Sequence, residues 1–284
     1  MDKKWKKYEQ AVYEECQEWA SCSYTDWKVE KDVHIQGKYS GQTRQIDILM
    51  TSSGEEPTKI VVEAKYYSTK VSVKTVDSFI GFLEDVGIEN GLIVCEEGYT
   101  PAAIKRAHKG THAITVEILS MKELKENQGK CGMMHIGKSI LLFMAPFGWI
   151  ADFTPLPFFK DPAIMLYRRG LSVGEAVHIE KEYMLLMLKK REHDGTLFHM
   201  QMEDELKIAS VDEDASVRYY GYHEKTNLSY RIVNGPKWQE KITVYCEFRS
   251  FIAVVYVVCS ELYEERDLRK ALSFLDESFE HNGN

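Results

Sequence analysis

The sequence predicts an α/β domain over residues 1–128, with three layers around a mixed sheet, followed by a second, α+β domain over residues 129–284. Two changes of pattern carry this reading. Along the first 118 positions the apolar spacing switches between steps of three or four and steps of two, in the order helix, three strands, helix, strand, helix, strand. The polar run Glu126-Asn-Gln-Gly-Lys130 then interrupts the pattern as a candidate linker, and beyond it aromatic and β-branched alternation takes over.

Lys4 to Trp19 places Trp5, Tyr8, Val12, Cys16 and Trp19 three or four apart, which is one face of an amphipathic helix. Lys28 to Gln36 alternates Val29, Val33 and Ile35 with polar residues as a strand does, and Gly37 and Gly41 bracket the turn that follows. Arg44 to Met50 is the second strand. Ser52-Ser53-Gly54 with Pro57 marks another turn, and Lys59 to Tyr66 carries the run Ile60-Val61-Val62 of a strand buried on both faces. Val73 to Val86 shows Val76, Phe79, Ile80 and Leu83 on one side, as a helix does. Gly91 to Cys95 reads as a short buried strand, Pro101 fits the first turn of a helix running to His108, and Ala113 to Ile118 closes the sheet. In the second domain Val217–Tyr222, Leu228–Val233 and Lys241–Val258 read as strands, with a charged helix from about Ser260 to Phe279.

Composition narrows the function classes. No apolar run reaches the roughly 18 to 20 residues that cross a bilayer, since Lys138 breaks the stretch from Cys131 and Phe251–Cys259 is short. The Met-Asp-Lys-Lys start leads into a charged amphipathic segment, so a cytoplasmic protein is expected. Six scattered cysteines, Cys16, Cys22, Cys95, Cys131, Cys246 and Cys259, include no zinc-ligand spacing and are read as reduced and mostly packed. A formal charge of −8 argues against coating nucleic acid through bulk charge, but acidic metal ligands count toward that total, so a nuclease is not excluded.

The chemistry concentrates on two strands. Glu63 and Lys65, two apart, point to one face, and a carboxylate and an ammonium inside an apolar strand each need a partner or a task. Asp47 lies between Ile46 and Ile48 on the preceding strand, and the turn around Gly54 can bring it beside Glu63. Adjacent carboxylates repel unless a cation sits between them, and Mg²⁺, with Mn²⁺ as a substitute, takes hard oxygen ligands and keeps waters. Asp47, Glu63 and the Ala64 carbonyl are the candidate metal ligands. Lys65 can then hydrogen-bond the attacking water or the developing charge on phosphate. The alternative is a structural one: Asp47 and Lys65 form a buried ion pair, with Glu63 at an edge.

The blocks Gly41-Gln-Thr-Arg-Gln-Ile-Asp-Ile48, Ile60-Val-Val-Glu-Ala-Lys65, Val76-Asp-Ser-Phe-Ile-Gly81 and Gly91-Leu-Ile-Val-Cys-Glu-Glu-Gly-Tyr-Thr-Pro-Ala-Ala103 together resemble, in content and in order, the Mrr-like branch of the restriction-endonuclease superfamily over about residues 8–118. The resemblance implies a restriction-endonuclease-like core, metal-binding Asp47 and Glu63, and a catalytic Lys65. It also implies a glutamate on the first helix, for which Glu9 is the candidate and Glu14 the fallback. Many Mrr-type members carry glutamine where this chain has Glu63; glutamate is the commoner residue across the superfamily. DNA as substrate, a role in defence against foreign DNA and a homodimer or higher homo-oligomer, so that two sites meet two strands, follow from the same resemblance.

Arg44 and Gln45 flank the catalytic strand and are candidate substrate contacts, and Lys3, Lys4, Lys6 and Lys7 form a basic helix start. Gly132-Met-Met-His-Ile-Gly-Lys-Ser139 fits a phosphate-loop pattern, but the residues before it are polar and its loop positions are bulky, so it is not read as a nucleotide site. The reading is a metal-dependent endonuclease whose second domain recognises targets, assembles the protein or senses an activating small molecule or protein. Its rivals are a catalytically silent nucleic-acid-binding module and a nuclease effector gated by ligand sensing in that second domain.

Overall fold

A strand buried on both faces belongs in the middle of a sheet, and the run Ile60–Val62 sits there. The structure, a computed structural model, describes residues 4–23, 25–109, 112–126, 128–156, 163–222, 225–238 and 241–282. It separates into two compact units, Met1–Asn127 and Gln128–Asn284. Asn127 of the expected linker and Lys3 of the basic helix start lie outside the described residues.

Unit one comprises α1 (Lys4–Cys22), β1 (Trp27–Gln36), β2 (Thr43–Ser52), β3 (Lys59–Lys65), α2 (Val73–Val86), β4 (Asn90–Cys95), α3 (Pro101–His108) and β5 (Ala113–Ile118). The five strands lie in sequence order, antiparallel from β1 to β3 and parallel from β3 to β5, a mixed sheet with β3 at its centre. Val61 and Val62, neighbours that point to opposite faces, are both fully buried. One face is covered by α1: the buried Tyr8 ring lies 5.5 Å from that of Tyr66, and its hydroxyl donates to the Leu119 carbonyl at 2.8 Å. Trp5, expected on the buried stripe of α1, is half exposed.

The other face is covered by α2, which ends where Gly87 turns left-handed at φ 68° and donates its N–H to the carbonyls of Leu83 and Glu84. Gly91 pairs with Val61, and a Cβ there would fall 2.5 Å from the Phe79 ring and 2.8 Å from Leu83. The missing methyl therefore lets α2 sit close to the sheet. Helix α3 begins as Pro101 at its first turn suggests, with the Thr100 hydroxyl accepting the Ala103 N–H at 3.3 Å.

Unit two contains β6 (Cys131–Ile136), β7 (Ser139–Met144), β8 (Trp149–Asp152), β9 (Ala163–Arg168), β10 (Tyr183–Lys190), α4 (Thr196–Val211), β11 (Ser216–Tyr222), β12 (Lys225–Asn234), β13 (Ile242–Glu247), β14 (Phe251–Val258), α5 (Glu264–Asp276) and β15 (Phe279–Asn282). Its strands form a seven-stranded sheet in the order β11-β12-β13-β14-β10-β9-β8 and a three-stranded sheet in the order β15-β7-β6, all antiparallel. Phe143, Trp149, Phe251 and Phe274 fill the larger core. The buried Arg231 guanidinium reaches Asp204 of α4 at 2.6 Å and the Tyr245 hydroxyl at 3.1 Å.

The alternating stretch Lys241–Val258 folds as the hairpin β13–β14, because residues 248–250 turn. One expectation for this unit needs correction. The charged helix is shorter than Ser260–Phe279, since Phe279 opens β15. Gly132–Ser139 is the hairpin β6–β7, with Gly137 at φ 60° in its turn and Ser139 buried at the start of β7. A phosphate loop instead aims successive N–H groups from a strand-to-helix junction.

Two outcomes are expected here. Gly91→Ala should destabilise the protein by about 1–3 kcal/mol in denaturant unfolding, because the new methyl overpacks the α2 interface. Calorimetric titration with ATP or GTP should give no binding isotherm; tight binding that disappears in Lys138→Ala would overturn the hairpin's exclusion as a nucleotide site.

Candidate active site

Strand register brings the predicted residues together. Ile48 pairs with Val62 across β2 and β3, so the next position outward sets Asp47 opposite Glu63, and Glu63 in turn pairs with Ile93 of β4. Alternation puts Asp47, Glu63 and Lys65 on the face covered by α2. They line one open cleft of about 420 Å³ together with Arg44, Gln45 and the Phe82 ring.

The Lys65 ammonium hydrogen-bonds the Glu63 carboxylate, and both side chains keep about a fifth of their surface exposed (22% and 21%), so the pair is sheltered yet reachable. The structural alternative, a buried pair between Lys65 and Asp47, is not what forms: the lysine takes Glu63. Burial works to lower the Lys65 pKa, but the charge and hydrogen bond of Glu63 outweigh it, and the ammonium is held above its ordinary value. The Asp47 carboxyl is pushed up to about 7 by burial first and then by the charges of Glu63 and Glu9, against opposing help from Lys65 and a hydrogen bond from the Ala64 backbone.

Glu9 sits on α1, half-buried, and does not line the cleft, although its charge is felt at Asp47. Its own pKa is raised, chiefly by burial. Glu14, the fallback, is exposed and accepts a hydrogen bond from Gln10 at 2.9 Å. The guanidinium of Arg44 lies 5.0 Å from the centroid of the Phe82 ring, with its Nε 3.4 Å from Asp85. Gln45 is exposed, and its amide donates to Asp32 at 2.9 Å where β1 takes a left-handed residue (φ 54°). Lys4, Lys6 and Lys7 are exposed on α1.

Two facing carboxylates beside open volume suit a hard divalent cation, which takes oxygen ligands and can keep water as others. The raised pKa of Asp47 comes first from its burial and then from the charges of Glu63 and Glu9, both of which a bound cation would counter. Among the described residues no three acidic, histidine or cysteine side chains converge on one point, so a site with two carboxylate side chains is what the geometry offers. Sequence reasoning missed Phe82 and Asp85. The signal for Asp85 was available: a carboxylate in the last turn of a helix opposes the helix dipole and calls for local donors.

Residues 27–127 match the restriction endonuclease family model of the Mrr catalytic type. Over this segment the chain is similar to the Mrr-like restriction endonucleases. The match includes Asp47, Glu63 and Lys65, and it excludes α1 with Glu9 and all of unit two. No match was found among curated proteins. Solved structures similar to the chain include a protein of unknown function designated AF1548, at 17% identity and TM-score 0.31 over 38% of this chain and 57% of that one. Another is the solution structure of cyanobacterial PsbP from Synechocystis sp. PCC 6803, at 8% identity and TM-score 0.33 over 55% of this chain and 96% of that one. The chain thus spans little more than half the length of the first of these.

The Asp47 environment sets a pH dependence. Its folded pKa of about 7 exceeds the ordinary 3.8, so the folded state holds a proton that the unfolded chain releases across that interval. This group's contribution to stability is present at pH 4 and is lost as pH rises through 7. In EDTA, the thermal midpoint of Asp47→Asn should rise relative to wild type between pH 4 and 7 and level off above. A difference that does not change with pH would show that the aspartate is not strained.

Proposed function

We propose that the chain is a metal-dependent endonuclease that hydrolyses phosphodiester bonds in DNA and acts in defence against foreign DNA. The observation that carries the reading is the grouping of Asp47, Glu63 and Lys65 in one cleft within the segment of the family match. Asp47, Glu63 and the Ala64 carbonyl would hold Mg²⁺ or Mn²⁺, which when bound supplies Lewis-acid charge and acidifies water. Lys65 donates a hydrogen bond to the phosphate oxygen on which charge grows, and its raised pKa keeps it protonated for that task. Arg44 neutralises a neighbouring phosphate, with its guanidinium lying over the Phe82 ring. The half-buried Glu9 supports the site through its field. Cutting both strands calls for two copies of the cleft, hence a homodimer or higher homo-oligomer, and unit two serves recognition, assembly or response to an activator.

The test is incubation of the pure protein with plasmid, linear duplex, single-stranded DNA and RNA, with Mg²⁺, with Mn²⁺ and with EDTA. Expected is DNA cleavage with either metal and none with chelator; cleavage that survives chelation would sink the mechanism. Asp47→Ala and Glu63→Ala should abolish turnover by weakening Mn²⁺ binding, and Glu9→Ala should have a milder effect. Lys65→Ala should retain Mn²⁺ and lose about 10²–10³ in kcat, the usual worth of one well-aimed donor. Native-rate cleavage by Lys65→Ala would instead make its pair with Glu63 merely structural.

A further inference from the structure

The turn between β1 and β2 is held more tightly than a surface turn needs to be. Asp85, buried in the last turn of α2, accepts the N–H groups of Tyr39 at 3.0 Å and Ser40 at 2.9 Å, and the Ser40 hydroxyl donates to its second oxygen at 2.7 Å. Its backbone carbonyl accepts the Lys38 N–H at 2.7 Å. Gly37 lies so close that a Cβ would meet the carboxylate at 2.6 Å, and the Lys38 stem passes Gly87 closely enough to leave no room for a Cβ there either. These bonds, chiefly those from Ser40, hold the Asp85 pKa below its ordinary value and offset the adverse end of the helix dipole.

At the tip of this fixed turn Tyr39 is 83% exposed, the highest value for a large apolar or aromatic side chain among the described residues. Packing does not ask for an aromatic ring there; rigidly mounted loop residues are where binding groups concentrate. Asp85 also reaches Arg44, whose side chain is 35% exposed and lines the cleft. The turn is bonded to α2 and the cleft is walled by α2, so both lie on the same face of the sheet. A nucleic-acid strand seated in the cleft carries a phosphate about every 3.4 Å along a duplex axis and must extend beyond it.

We propose that the β1–β2 turn is part of the nucleic-acid interface: Tyr39 packs against a sugar or base of the strand leaving the cleft, Arg44 takes a phosphate, and Asp85 is the positioning residue that keeps the two in one relation. This rests on the nuclease reading above. Tyr39 touches the strand without reaching the reacting atoms, so its loss falls on binding. Arg44 contributes charge, so its loss changes how binding responds to salt. Asp85 acts only through these two.

The experiment measures anisotropy of a labelled DNA duplex in EDTA across a salt series, beside steady-state cleavage in Mg²⁺ and the thermal midpoint of each variant. Tyr39→Ala should weaken binding and raise KM by about tenfold, the scale of one lost ring contact, with kcat and the salt slope unchanged. Arg44→Ala should lower the salt slope by about one. Asp85→Asn should raise KM, and its effect should be largely absent when Tyr39→Ala and Arg44→Ala are already present, because it has nothing left to position. Should Asp85→Asn lower the midpoint severely, Tyr39→Ala decides alone, since an exposed ring can be removed without unfolding. A wild type that cuts DNA while Tyr39→Ala matches its Kd and KM overturns the interface and leaves the nuclease reading standing. A wild type that neither binds nor cuts any nucleic acid overturns both.

Discussion

The burial of Asp47 beside Glu63 is the constraint on which the site in unit one depends. A sheet normally buries apolar side chains beside a central strand, and here it sets two carboxylates at neighbouring positions with the charge of Glu9 near enough to add to the strain. The surrounding features make this tolerable. Val61, Val62 and Ile93 supply the burial that keeps the strands paired, Lys65 offsets part of the charge, and the open side of the cleft leaves the groups partly solvated. A carboxyl held toward its neutral form in this way costs stability as pH rises, as expected where stability is given up for function.

Much of unit one was legible because its elements obey simple periods. The helices α2 and α3 and the strand β5 begin and end where the spacing puts them, since each has one apolar face and a clear stop such as Gly87. The carboxylate–lysine trio was legible for a related reason: charges stand out in a strand whose other residues are aliphatic. Asp85's place in the last turn of α2 signals that it needs donors, but that they come from a turn 45 residues away in sequence is a relation that no local pattern encodes.

Unit two was harder to read for opposite reasons in different places. Strands β9, β10 and β14 are covered on both faces, so alternation vanishes and the runs could equally be buried helix. Helix α4 fails the other way. Phe198, Met202 and Leu206 are exposed while Leu197 and Met200 pack inward, which leaves apolar residues all round and no 3.6-residue signal. The phosphate-loop pattern shows the limit of a short motif: Gly132 is needed because the Phe153 ring would lie 2.2 Å from its Cβ, a matter of packing rather than of phosphate.

The absent side chain at Gly91 reaches further than its own contacts. It sets how near α2 approaches the sheet through Phe79, and Phe79 is also a wall of the cleft. The width of the cleft is therefore adjustable from beneath, at a position that touches neither substrate nor any charged residue of the site. For protein engineering this separates two design variables that active sites usually entangle: a methyl at position 91 would push Phe79 and so reshape the cleft, at a cost in stability, while the charged groups keep their identities.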